Sequence, residues 1–338
     1  MLTHHRAPLW GRISIVAALA VVAGCSSEPT ASTSPSVPIT TSAAPATTAT
    51  YAERQQAVIS VANGDGLAAA AGAVWVKTDD GRVVRVDPRT NRVTGETKVD
   101  TTSDENEYCQ GIGADRASVW ACATGDDGIG VVQLDPATRR IVRRVAVDKV
   151  FDQLAMPFTS RGLWVLTANG SSAGVVDPTT GRFTSYPLGV RCLQLTAQGD
   201  RVVATSATEG KVVALDATSG AVVANASLPA PRLAVAAGDG FWIDTGDGLT
   251  RLSRELAVPS VYGNLSAGSN GDLIATADAI WLRSADGTIT KLDPGTGEVV
   301  ERITPEQPLT AGSLLIAFGS IWTTSSDEGT LTRLRLAG

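Results

Sequence analysis

The chain has 338 residues, 43% of them hydrophobic, with 28 basic and 34 acidic residues for a net charge of −6. The length is ample for one large domain with a real core. The acidic balance and the absence of any Lys/Arg cluster make nucleic acid an unexpected partner.

The first 24 residues read as a removable leader. Arg6 and Arg12 supply a positive start, and Ile13 to Ala23 is an apolar run too short to span a bilayer. The run ends Val22, Ala23, Gly24, Cys25. That order resembles the bacterial lipobox, in which the cysteine is acylated and becomes the new amino terminus. The resemblance implies lipidation (palmitate or a similar acyl chain) at Cys25 and a membrane-tethered, extracytoplasmic protein. Each buried acyl methylene adds about 0.8 kcal/mol, so two chains hold far better than one. Residues 25–50 follow as a tether: Ser26 to Thr50 holds 6 Ser, 7 Thr, 4 Pro and 5 Ala. Such a stretch has too little to bury to offset its ordering entropy, and it reads as a disordered spacer open to glycosylation.

Residues 51–338 contain a repeat. Trp75, Trp120, Trp164, Trp242, Trp281 and Trp322 lie in similar contexts, such as AVWVKT, GLWVLT and AIWLRS, and Val203 takes the same place in DRVVATS. The seven landmarks are 45, 44, 39, 39, 39 and 41 residues apart. Each unit has a small-residue run, the Trp run, a Gly-bearing turn, a run such as GTITKLDP, a DPxTG-like turn and a last short run. Four short Val- and Thr-rich strands per unit of about forty residues read as propeller blades. The expected fold is all-β, a seven-bladed β-propeller of four-stranded blades. The seventh unit lacks its fourth strand, and Ala57 to Ala62 can supply it, closing the ring by strand exchange between the termini.

The combination of small-residue strand, Trp strand, LDP, TG and VV resembles the YVTN-type seven-bladed propellers, close to NHL-repeat and streptogramin-lyase-like proteins. The resemblance covers essentially all of residues 51–338 and implies architecture rather than activity, because such propellers serve as sensors, scaffolds, binding modules and occasional enzymes.

Asp87, Asp135, Asp177, Asp216 and Asp293 precede the last strand of their units. In a ring they are spread around the rim and cannot converge, so they read as turn formers: Asp accepts a backbone N–H, Pro fixes φ and Gly supplies positive φ. The Asp-Gly pairs at 80–81, 127–128, 247–248 and 286–287 read as hairpin turns. No carboxylate spacing fits a calcium loop, and no metal or cofactor is expected. The two histidines, His4 and His5, lie in the leader, which leaves the mature chain without Ser-His-Asp or Cys-His chemistry. Streptogramin lyases depend on histidine, so the chain departs from them there. No catalytic residue is assigned, and the enzyme question leans to no.

The connections between units do not repeat. They carry Tyr108, Phe151, Arg191, Arg232 and Tyr262, with Asp104, Glu105 and Glu107 beside them, and form the candidate ligand face, since aromatic and Arg residues anchor recognition surfaces. Cys109 and Cys122 fall near the limit of disulfide reach as diagonal neighbours, with a Cys109 to Cys192 bridge as the rival. The functional expectation is a monomeric, membrane-anchored binding module for a protein, peptide or glycan. A carboxylate-dependent lyase or hydrolase at the channel mouth and an envelope-assembly scaffold are the alternatives.

Overall fold

In the computed structural model, which describes residues 45–101, 109–125, 128–147, 155–257 and 260–337, seven antiparallel sheets of four strands form a β-propeller. Blade 1 spans 64–98, blade 2 112–146, blade 3 158–187, blade 4 194–227, blade 5 234–263, blade 6 272–304, and blade 7 combines 314–335 with 55–60. The first strand of each blade is innermost and lies against those of neighbouring blades. The second strands are buried on both faces: Ala73–Thr78, Gly162–Thr167 and Ser320–Ser325 are buried at every residue. Burial on both faces explains why these runs are apolar without alternation.

The ring closes as the sequence predicts. Gln55–Ser60 pairs antiparallel with Thr330–Arg335, placing Val58 opposite Thr332, and completes blade 7. The strand starts and ends two residues earlier than expected. A further departure lies just upstream. Thr47–Thr50, expected as the end of a disordered tether, is a fifth strand on blade 6, parallel to Val299–Thr304. Its cause is local: three β-branched threonines suit an extended backbone, and the outer strand of blade 6 presents unpaired N–H and C=O groups. Thr50 then caps the short helix Tyr51–Arg54, its hydroxyl bonding Glu53 N while the Glu53 carboxylate accepts from Thr50 N. Tyr51 is buried and donates to Gly287 O at 2.6 Å, and Arg54 pairs with the buried Glu301. This anchorage pins the start of the domain to blade 6.

The six tryptophans are buried blade packing. Each faces a characteristic cross-strand partner on the third strand: Arg85, Gln133, Val175, Arg251, Lys291 and Arg333. Cations lie over the rings of Trp75, Trp281 and Trp322 at 5.9, 5.3 and 5.0 Å. In blades 3 and 5 an outer-strand tyrosine stacks instead, Tyr186 on Trp164 at 6.0 Å and Tyr262 on Trp242 at 4.8 Å. Where Val203 replaces the tryptophan, the partner shrinks to Ala214.

The DPxTG-like turns serve the contact between blades. Asp293 Oδ1 accepts from Gly295 N and Thr296 N at 2.8 Å each, and Gly297 N donates to Asp293 O at 2.8 Å. Gly297 has φ of +73°, and a Cβ there would lie 2.2 Å from the Tyr262 ring of blade 5; Gly220 relates to Tyr186 in the same way. The glycine thus serves two needs, the left-handed turn and the seat of the preceding blade's ring. In Asp-Gly hairpins 80–81 and 286–287 the glycine has positive φ, whereas in the 244–248 turn that role falls to Gly246 rather than Gly248.

Candidate functional site

Because strands alternate in direction, the connections between blades and the turns joining second to third strands lie on one face, here the connection face. Turns joining first to second and third to fourth strands lie on the other, the hairpin face. Of the predicted ligand-face residues, Asp104, Glu105, Glu107, Tyr108 and Phe151 lie outside the described residues, as does Cys25. Arg191 is exposed on the connection face; its backbone N–H donates to Glu209 Oε1 at 2.9 Å and its Nε to Asn169 O at 3.0 Å. Arg232 is half-buried in the next connection, where its N–H donates to Asp244 O at 2.7 Å and its carbonyl accepts from Thr205 Oγ1. Tyr262 is a correction. It stands in the outer strand Ser260–Gly263, with its ring between Trp242 and Gly297, so it packs blades 5 and 6 and is not gathered with the arginines.

Cys109 and Cys122 are bonded, with Cα atoms 6.0 Å apart. Cys122 N donates to Gly111 O at 2.9 Å, which sets the start of blade 2's first strand beside its second. Cys192 is buried and free, and burial pushes its thiol up to about 12.

Along the axis runs a channel cavity of about 240 Å³ walled by small and apolar residues of the first strands, among them Leu67, Ala236 and Ile274. Its polar lining is Gln194, Thr196, Asp272 and Ser313. Asp272 is buried, and burial pushes its carboxyl up against the opposing pull of two N–H donors, Leu314 and Leu273, at 2.8 Å each. Arg283, fully buried, faces Asp272 across the first two strands of blade 6. It reaches into blade 7, with Nε to Thr323 Oγ1 at 3.0 Å and Nη2 to Thr310 O at 2.6 Å and Thr324 O at 3.2 Å. Thr324 Oγ1 passes the network to blade 1 by donating to Asp65 O at 2.8 Å.

These residues share one repeat position. Two residues after the landmark stand Lys77, Cys122, Leu166, Thr205, Asp244, Arg283 and Thr324. Blade 1 buries Lys77 against Asp100, 2.9 Å away, and Asp100 Oδ1 accepts from Thr124 N of blade 2 at 2.7 Å. Asp244 of blade 5 accepts from Ser266 Oγ at 2.9 Å and Ala267 N at 3.2 Å ahead of blade 6. The polar positions therefore form a contiguous arc from Thr205 of blade 4, which donates to Arg232 O, through blades 5 to 7 to the blade 1 and 2 junction. The tryptophan landmarks do not point to them. Their signal was available as single charged residues at the end of otherwise apolar second strands, where charge is costly unless paired. Chemically the arc is fully engaged in joining blades, and its donors and acceptors face one another rather than a ligand.

Residues 117–336 match the family described as "Outer membrane protein assembly factor BamB" (PQQ_2). The chain belongs to that family. Among solved structures, the β-propeller domain of Myceliophteria thermophila Cps50 (Swd1) is similar at TM-score 0.66 and 12% identity, covering 84% of this chain and 99% of that one. BamB from Moraxella catarrhalis is similar at TM-score 0.57 and 16% identity, covering 82% and 85%. The computationally designed Ika8 protein is similar at TM-score 0.58 and 15% identity, covering 84% and 100%. At these identities the structural likeness shows the propeller fold alone. Comparison with curated protein sequences finds no match.

Proposed function

We propose that the chain is an extracytoplasmic lipoprotein, held to a membrane through acylated Cys25, whose propeller binds a protein partner through the connection face and serves as a scaffold in envelope assembly. The observation that carries this reading is the match of residues 117–336 to the assembly-factor family. The local chemistry supports it. Arg191 is exposed yet braced by Glu209 and Asn169, so it meets a partner with little ordering cost. Tyr108, Phe151, Asp104, Glu105 and Glu107 belong to the same face in this reading. Within the architecture, the LDP and TG letters keep the likeness to YVTN- and NHL-type blades.

A photo-crosslinking residue placed at position 191 of the full chain in cells tests the face, with one at exposed Asp200 on the hairpin face as control. A discrete adduct from position 191 that is lost in the Tyr108→Ala/Phe151→Ala variant is expected. Equal labelling from both positions would refute the connection face. Metabolic labelling with a palmitate analogue tests the anchor: incorporation that persists in Cys25→Ala would refute it.

A further inference from the structure

On the hairpin face, between blades 7 and 1, a cleft of about 480 Å³ is lined by Ala71, Gly72, Arg85, Pro88, Phe318 and Arg333, with Asp87 and Arg89 at its edge. Pockets of a few hundred Å³ with a few convergent polar groups on an apolar wall are the usual form of a ligand site. Three features set this one apart.

The first is charge. Among the described residues, neither Arg85 nor Arg333 makes an ion pair with a carboxylate. Arg85 donates from Nη1 to Thr94 Oγ1 at 2.7 Å. Arg333 donates from Nε to Ser320 Oγ and from Nη1 to Asn91 Oδ1, both at 2.9 Å, and to Pro88 O, which leaves its Nη2 uncommitted. Asp87, the carboxylate at the edge, spends Oδ1 on Arg89 N at 2.8 Å and pairs with Arg89 Nε at 3.7 Å, so Arg85 and Arg333 are the two guanidinium groups left without a carboxylate. Three guanidinium groups against one carboxylate make the cleft locally cationic on a chain whose net charge is −6.

The second is preorganisation. Arg85 and Arg333 lie over the rings of Trp75 and Trp322, so their forks are held before any ligand arrives.

The third is Phe318. It sits in a two-residue hairpin loop between the paired Ala317 and Ser320, with φ of +53° beside Gly319 at +67°. Positive φ at both loop positions is the pattern that favours Asn-Gly, and a bulky ring in the left-handed region is a strained choice. The residue is 42% exposed, so burial does not repay that strain. Strain of this kind collects at ligand sites. A second cavity, of about 540 Å³ and lined by Ala114 and Arg116 among others, shares Ala71, Gly72 and Phe318 with the first. Phe318, with the Ala71–Gly72 turn, therefore borders both.

We propose that this cleft binds a carboxylate flanked by an apolar group, presented by an extended peptide segment of a partner protein: Arg85 and Arg333 hold the carboxylate while Phe318 covers the apolar neighbour. A guanidinium fork matches a planar carboxylate by paired N–H donors. An anionic lipid surface fits less well: Arg85 and Arg333 stand on the third strands of blades 1 and 7, inside the cleft rather than at turn tips, where a single narrow segment reaches them and a plane of headgroups does not. The site is independent of the connection face.

Calorimetry of the full chain with the blocked peptide acetyl-Ala-Leu-Glu-Phe-Ala-amide and its Glu→Gln counterpart tests the assignment. The Glu peptide is expected to bind about ten-fold more tightly than the Gln peptide, the effect of one charge-assisted pair, and to weaken with salt. Arg85→Gln, which breaks one bond to Thr94, is expected to remove that preference, and Phe318→Asn to weaken both peptides while raising Tm. Equal affinity for the two peptides, unchanged binding by Arg85→Gln, or no heat at millimolar peptide overturns the proposal. So does retention on phosphatidylglycerol vesicles that Arg85→Gln abolishes and the Glu peptide does not displace, which reassigns the cleft to lipid.

Discussion

Replacing Lys77 with Met keeps the length and most of the apolar volume of the side chain, yet it is expected to cost about 3 to 5 kcal/mol of stability. Lys77 and Asp100 are both fully buried with Nζ and Oδ2 2.9 Å apart. At an effective dielectric of about 20, charges at that distance attract by about 6 kcal/mol, while desolvation costs several kcal/mol per ion, so the intact pair is near break-even. The single substitution removes the attraction and leaves the desolvation penalty of Asp100 uncompensated. Adding Asp100→Asn removes the stranded charge while keeping an oxygen for Thr124 N, and the double variant is expected within about 2 kcal/mol of the parent. Urea unfolding of the four proteins, followed by tryptophan fluorescence and treated as a double-mutant cycle, gives the coupling directly. A Lys77→Met cost below about 1 kcal/mol, or a double variant no more stable than the single one, would refute the buried-pair reasoning.

Gly189 and Gly220 share φ of +74°, but a Cβ meets nothing at Gly189 and the Tyr186 ring at 2.0 Å at Gly220. Both Ala variants are expected to lose about 1 to 2 kcal/mol to backbone strain, and Gly220→Ala a further 1 to 3 kcal/mol to overpacking, read from their urea midpoints. Backbone N–H donors hold the half-buried carboxyls of Asp135, Asp177, Asp216 and Asp293 below the usual 3.8. A lowered folded value stabilises above the unfolded value and is lost as pH falls through the folded one. Stability is therefore expected to drop below about pH 4. Replacing all four residues with Asn, which keeps the turn but not the charge, should flatten the drop; an unchanged slope would count against it. Removing the Cys109–Cys122 bond, which closes a loop of 13 residues' separation, is expected to cost about 3 kcal/mol in the chain-entropy model. Cys192, buried with its thiol pushed up to about 12, should resist alkylation at pH 8 until the protein unfolds.

The architecture was legible because a blade cannot bury its faces alone, so each unit must repeat the same landmark at the same spacing. Val203 could be placed without its tryptophan for that reason, and the missing fourth strand of blade 7 pointed to the other terminus. Thr47–Thr50 was not legible: a Thr-rich run gives no burial signal, and its order comes from a backbone edge that exists only once blade 6 has formed. Tyr262 misled because an aromatic residue in an apparent connection looks like a recognition anchor, whereas its outer strand of four residues is too short to show a pattern. Arg85 and Arg333 stand near opposite ends of the described chain and meet only because ring closure sets blade 7 beside blade 1.

Ring closure also accounts for where buried polar groups accumulate. Blades 2, 3 and 4 are consecutive in sequence, and at the repeat position Cys122 packs in the core shared by blades 2 and 3 and Leu166 in the core shared by blades 3 and 4. Blade 7 is different, since one of its strands comes from the start of the chain and must find the rest by a long loop closure that local contacts do not guide. The network that passes from Asp272 and Arg283 through Ser313 and Thr324 to Asp65 spans this seam on both sides. Hydrophobic packing tolerates several sliding registers, but a hydrogen-bond chain in which each buried donor meets one acceptor tolerates one. Thr47–Thr50 and Tyr51 then fasten the incoming strand to blade 6 before it reaches blade 7. The longest run of costly groups thus crosses the closure, where the chain's connectivity leaves the register least determined, while Lys77–Asp100 and Asp244 tie single junctions between consecutive blades.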